Sequence, residues 1–278
     1  YELIPLQLLH EGLVEARNFF LPEAVPVETL YLAHAQSYVD QLMDCSLDPK
    51  MQRRIGFPLS PSLVLRERLL VGGTLQGARY ALEFGVSFNT AGGTHHAGSD
   101  YGEGFCLFND QAVAAAFLVA QGLAKQVLII DLDVHQGNGT AHIFAHEKSI
   151  FTFSMHSAKN YPFIKEKSDL DIPLPDELDD DGYLSLLEAE LIPLLDQLQP
   201  DFIFYQAGVD VLATDKLGKL KLSAQGCKMR DEFVLRQCYS RKIPIQISMG
   251  GGYSPEIKDI VNAHVATFRT ALNIYPLD

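Results

Sequence analysis

No apolar run in this sequence reaches the length of a membrane span. The longest candidates, 127–130 and 202–205, are bounded within a few residues by Asp, Gln or Gly, as buried strands are. A cysteine framework is also missing. Cys45, Cys106, Cys227 and Cys238 are scattered without a CxxC pair, which argues against a thiolate zinc site or disulfides and for reduced, buried thiols in a cytoplasmic protein. Basic residues are in the minority, 22 Lys and Arg against 35 Asp and Glu, a formal charge of −13. A nucleic-acid groove needs clustered cations that release counterions from phosphate, so neither nucleic acid nor membrane is an expected partner. A basic substrate suits this balance. No signal peptide opens the chain, which starts on Tyr1, and no repeat, low-complexity tract or linker divides it. One domain over 1–278 is expected, with the oligomeric state open.

What the sequence does contain is an alternation of strand and helix signals. Apolar or β-branched runs at 86–89, 126–130, 150–154, 202–205 and 243–248 read as strands covered on both faces. Helical patterns at 62–84, 109–122, 180–198, 223–240 and 255–271 lie between or after them. That order predicts an α/β fold in three layers, a parallel sheet with helices on both faces. The long connection 46–60, with Arg53, Arg54 and two prolines, reads either as a rim over the site or as a surface excursion.

Each predicted strand runs into a polar cluster at its C-terminal end: AGGTHHAG, DLDVHQGNG, SMH, QAGVD and SMGGGY. In open parallel sheets the ligand site lies outside those ends, where the loops converge. Asp133 and His135 are two apart on an extended segment and project to one side, and Asp131 shares their parity. With Asp210 from a later strand they supply two carboxylates and an imidazole, a set that suits one Zn²⁺ with a position open for water. The tandem His95 and His96 follow two glycines that let the backbone approach the cleft, and one of them can act as base and then acid. Asp131 is the natural orienter of one ring. Tyr253, after three glycines, can stabilise an oxyanion or can simply pack. His142 and His146 are spaced for a helix face but lack an HExxH glutamate, so an exposed helix is the better reading. The acidic run 169–181 contains a helix start, and cation attraction ranks second there.

The motifs GGTHHAGSDYGEGFC, IIDLDVHQGNGT, YQAGVDVLATDKLGKLKLS and GGGY, in this order between about residues 62 and 253, resemble the zinc-dependent histone deacetylase family. The DLDVHQGNG and DKLGKLKLS stretches are most similar to the class IV branch and its bacterial relatives. The resemblance implies an arginase-deacetylase fold with about eight parallel strands. It implies zinc on Asp133, His135 and Asp210, Asp131 holding His95, and His96 as principal base and acid with Asn138 as its partner. It further implies Tyr253 as the transition-state hydrogen-bond donor, Phe105 along an acyl-lysine tunnel, and the Gly104 carbonyl as acceptor of the substrate amide. A structural K⁺ is implied through groups at Asp131, Asp133, His135, Ser154 and Met155. Class I members carry Asp where Asn138 stands; an amide brings no charge, so His96 is expected to titrate lower than in those enzymes. An opening strand and an HPxHP-type segment do not precede Tyr1, so the N-terminal strand is expected to be missing or disordered.

Three functions are weighed. The first is a deacylase of Nε-acyl-lysine in proteins or peptides. The second is an amidohydrolase of small acylated amines such as acetylpolyamines, which the acidic balance would favour. The third is a catalytically silent acyl-lysine reader, against which the intact His96 and Tyr253 argue.

Overall fold

A computed structural model describes residues 2–276; the expected domain's outermost residues, Tyr1 and 277–278, lie outside the described residues. Six parallel strands form one sheet: β1 (Val86–Asn89), β2 (Val127–Asp131), β3 (Ile150–Ser157), β4 (Leu170–Leu174), β5 (Phe202–Gln206) and β6 (Ile245–Ser248). Their order is β1-β6-β5-β2-β3-β4. The expectation of about eight strands is therefore corrected to six among the described residues. Ahead of Pro61 these residues form helices, including Leu3–His10, Gln36–Met43 and Pro49–Ile55, rather than strands.

Alternate residues of each central strand enter different cores because successive side chains point to opposite faces. Leu128, Ile130, Ile203 and Tyr205 join one core with Leu187, Leu191, Val234 and Phe268. Val127, Ile129, Phe202 and Phe204 join the other with Leu75, Ala78, Val113 and Leu118. Each fully buried aliphatic or aromatic side chain stabilises the fold by roughly 1.5–3 kcal/mol. That is why these runs read as continuously apolar.

Local chemistry sets the helix ends. Ser60 caps the Pro61–Phe84 helix by accepting from the Leu63 N–H at 3.2 Å, with Pro61 in the first turn and Gly85 (φ +85°) at its end. Asn109 accepts from Ala112 N at 3.0 Å and starts the Asp110–Ala120 helix. Asp179 and Ser223 cap Asp180–Leu198 and Ala224–Arg241 in the same way.

One connection differs from its reading. Residues 46–60 contain the Pro49–Ile55 helix, capped by Asp48 and ended by Gly56 at φ +89°. Its last carbonyls hold the turn that carries two predicted site residues. Gly104 N donates to Arg54 O at 3.3 Å, and Phe105 N donates to Ile55 O at 2.8 Å.

Candidate active site

Register brings the predicted residues to one edge of the sheet. β2 ends at Asp131, which pairs with Ser154 on β3 and Gln206 on β5. Beyond it the chain turns back on its own carboxylates: Asp133 N donates to Asp131 Oδ1 at 3.1 Å, and His135 N donates to Asp133 Oδ1 at 3.0 Å. Asp210, four residues beyond the end of β5, accepts from Val134 N at 2.9 Å. The His135 Nδ1 then lies 3.0 Å from Asp133 Oδ1 and 3.2 Å from Asp210 Oδ2.

Glycines make this crowding possible. A Cβ on Gly208 would stand 2.3 Å from Asp133 Oδ2, and one on Gly251 would stand 2.3 Å from Asp210 Oδ2. Both carboxylates are therefore approached by bare backbone, and Gly251 N donates to Asp133 Oδ2 at 3.0 Å. Beneath them the fully buried Arg230 donates to the carbonyls of Leu132 and Gly208, tying together the loops that carry Asp133 and Asp210.

The donor set fits a divalent metal. Donor atoms of Asp133, His135 and Asp210, all buried, lie within 4.8 Å of one another, the one such group among the described residues. Burial and the charge of Asp133 push the Asp210 carboxyl up to about 7. Burial opposes charge on His135, but hydrogen bonds to the two carboxylates outweigh it and lift the ring to about 10. A dication answers both demands by neutralising the carboxylates and taking the place of the imidazole proton.

The paired imidazoles, their ring centroids 4.1 Å apart, stand beside this group: His95 Nε2 is 3.9 Å from Asp133 Oδ1, and the His96 and His135 ring centroids are 5.9 Å apart. His95 Nδ1 is 2.6 Å from Asp131 Oδ2. Burial disfavours its charge, yet the carboxylates of Asp131 and Asp133 raise it to about 9. His96 Nδ1 is 2.6 Å from Asn138 Oδ1. Burial, then the neighbouring His95 and His135, hold it well below the usual histidine range. Asp110 secures the approach to the pair by accepting from Gly93 N, Thr94 N and the hydroxyls of Thr74, Thr94 and Ser248.

The remaining predicted residues surround these groups. Gly104 (φ +56°) carries hydrogen where a Cβ would meet His96 Cδ2 at 2.6 Å. Its carbonyl lies 3.4 Å from Cys106 Sγ. Phe105, half exposed and at φ +69°, packs on Phe57 with centroids 5.2 Å apart. Tyr253 is partly exposed, and its N–H donates to Asp215 Oδ2 at 2.6 Å. Ser154 and Met155 are buried next to Asp131 on the neighbouring strand. A cavity of about 1610 Å³ bounded by Leu8, Phe19, Phe88, Phe105, Tyr253 and His264 reaches this rim; Asp133, His135 and Asp210 do not line it.

Other candidates are used structurally. His142 accepts from Ser99 N at 3.3 Å, and His146 lies beyond the end of its helix, so the two form no chelating pair. In the acidic run, Asp169 accepts from Thr152, Asp171 from Gln136 and Ser168, and Asp180 from Ser223. Two side chains at the site, Glu103 and Tyr161, escaped the sequence reading, while Arg54 lies on the connection read as a rim or a surface excursion. Glu103 and Arg54 form an ion pair next to Asn138, and the Tyr161 ring stands edge-on to His96 at 5.2 Å. Glu103 sits inside the GEGFC motif, but nothing local in the sequence indicates its partners.

Residues 2–268 match the family described as Histone deacetylase domain. The chain belongs to the histone deacetylase family. An uncharacterized protein of Picosynechococcus sp. is 45% identical over 275 residues, covering 99% of this chain and 92% of that one. Histone deacetylase 2 of Arabidopsis thaliana is 29% identical over 255 residues, 88% of this chain and 66% of its own. Among solved structures, an HDAC homologue from Aquifex aeolicus matches with a TM-score of 0.81 at 26% identity, covering 96% of this chain and 75% of that one. An HDAC homologue complexed with SAHA matches with a TM-score of 0.80, again at 26% identity and with the same coverage. The sheet and its two helical layers are the arginase-deacetylase fold of histone deacetylases.

Proposed function

We propose that this protein is a zinc-dependent deacylase that hydrolyses the amide of Nε-acyl-lysine in peptides or proteins. The observation that carries this reading is the closeness of two groups: a buried Asp133–His135–Asp210 donor set and a pair of carboxylate- and amide-anchored imidazoles. Asp133, His135 and Asp210 would hold the ion, and zinc bound there would supply Lewis acidity toward the acyl carbonyl and the attacking water. His96, kept neutral by burial, takes the proton of the attacking water at Nε2 and returns it to the leaving lysine amine. His95 is held at Nδ1 by Asp131 as the second imidazole beside the donor set. The Tyr253 hydroxyl donates to the developing oxyanion. The Gly104 carbonyl accepts the substrate amide hydrogen, and Phe105 flanks the alkyl chain. K⁺ is assigned to the groups of Asp131, Asp133, His135, Ser154 and Met155, beside the β2–β3 pairing.

The relative complexed with SAHA supports an acyl-lysine-like ligand. We further assign the chain to the class IV branch, as a single catalytic domain acting in the cytoplasm. The net charge of −13 favours a second substrate class, small acylated amines such as acetylpolyamines.

The test is hydrolysis of acetyl-lysine and long-chain acyl-lysine peptides, alongside free acetylpolyamines, by protein loaded with stoichiometric zinc. Turnover of a peptide is expected. Turnover of polyamines alone establishes the second reading, and no turnover of any of the three rejects both.

A further inference from the structure

Asn138 has two ends, and the structure shows what each one faces. Its Oδ1 lies 2.6 Å from His96 Nδ1, and its Nδ2 lies 2.5 Å from Glu103 Oε1. The second oxygen of Glu103 accepts from Arg54 Nε. All three inner members, His96, Asn138 and Glu103, are buried. Arg54 is half exposed, and its guanidinium lies over the Tyr101 ring at 4.2 Å.

Hydrogen-bond chemistry gives this chain a direction. An arginine side chain only donates, and a carboxylate paired with it accepts at both oxygens. Asn138 must then turn its amide hydrogens toward Glu103. That leaves only an acceptor for His96, so its Nδ1 carries the hydrogen and its Nε2 keeps the lone pair. Without the carboxylate, the partner left on that side of the Asn138 amide is the Tyr101 hydroxyl, which can donate or accept and so does not fix its direction. Flipped, it would donate to Nδ1 and force the hydrogen onto Nε2, and that ring cannot accept a proton there.

From this geometry we infer that Glu103 is a positioning residue that fixes the base-competent tautomer of His96 through the orientation of Asn138. The inference rests on the proposed role of His96. Holding the 49–55 helix to the loop does not require Glu103, because two backbone bonds, Gly104 N to Arg54 O and Phe105 N to Ile55 O, already join them.

The reciprocal pair of variants tests it. In Glu103→Gln the new amide oxygen accepts from Arg54 and its NH₂ faces Asn138, which flips. A fall in kcat of roughly 10- to 100-fold is expected, with KM and zinc content unchanged. In Asn138→Asp two carboxylates abut, and activity falls as well. When the two substitutions are combined, the introduced amide donates to the introduced carboxylate, which accepts from His96 Nδ1, so the double variant is expected to exceed both single variants in kcat. Additive losses in the double variant overturn the proposal; should Glu103→Gln not fold, wild-type kcat in Glu103→Ala, which removes the carboxylate that orients Asn138, overturns it alone. A readout independent of turnover separates this inference from the deacylase reading. In ¹⁵N-histidine spectra, with the His96 signals assigned by their loss in His96→Gln, the wild-type protein should show the Nδ1–H form and Glu103→Gln a shift toward Nε2–H. An Nε2–H ring in the wild type rejects the positioning role even if peptides are cleaved; failure to cleave peptides with an Nδ1–H ring rejects the deacylase reading alone.

Discussion

Asp210 lies 3.2 Å from the Nδ1 of His135, a residue 75 positions earlier, while its other oxygen accepts from the backbone N–H of Val134. One carboxylate thus serves the donor set and braces the loop that carries its partner. Replacement by an amide separates these two tasks. Asp210→Asn retains an oxygen for Val134 but removes a buried charge that Asp133 repels. Metal affinity is expected to fall at least tenfold, while the metal-free protein melts at or above the wild-type temperature. Zinc titration and melting of the chelator-treated protein measure both; an equally tight variant argues that Asp210 is no ligand.

Gly104→Ala places a methyl 2.6 Å from the His96 ring and forces a left-handed backbone on an L side chain. A stability loss of about 1–3 kcal/mol is expected, together with a kcat loss on the order of 100-fold from the displaced ring. Denaturation and steady-state kinetics on one preparation check the two together.

Tyr253→Phe leaves its backbone bond to Asp215 in place. If the hydroxyl stabilises the oxyanion, kcat drops by about 10²–10³ while KM changes little. A wild-type kcat removes Tyr253 from the chemistry.

His34, which is outside the Asp133–His135–Asp210 donor set, gives a pH dependence. Its Nδ1 is 2.9 Å from Gly98 O and its Nε2 accepts from Asn109 N, and burial lowers it to about 4. The unfolded chain protonates this ring near 6.5, whereas the folded one resists until about 4. Its contribution to stability is therefore complete above pH 6.5 and is lost as pH falls from 6.5 to 4. It amounts to about 3 kcal/mol. His34→Gln should show a shallower fall in melting temperature across that window than the wild type; parallel curves argue against it.

Much of this arrangement was legible because burial on both sheet faces demands continuous apolar runs, as in residues 127–130 and 202–205. β4 was not legible, because Asp171 and Pro173 interrupt its pattern. At a sheet edge both are tolerated: proline needs no partner on the open side, and Asp171 accepts from Gln136 and Ser168. The Pro49–Ile55 helix was read as loop because Ile55 is its only buried residue, although Asp48, Pro49 and Gly56 are ordinary start and stop signals. In the site, the polar clusters after each strand identified Asp133, His135 and Asp210 as neighbours. Glu103 was missed for a different reason. Its partners Arg54 and Asn138 lie 49 and 35 residues away, and no periodicity encodes a contact made by tertiary packing.

The pairing of β2 with β5 also bears on how the chain matures. Asp133 and His135 leave the ribosome well before Asp210, and β5 reaches β2 only after closing a long loop. A nascent chain ending before Phe202 carries two donors and no third. On the proposed function, firm capture of an ion would require β5 to have docked beside β2, so metal uptake during synthesis would report when the middle of the sheet is complete.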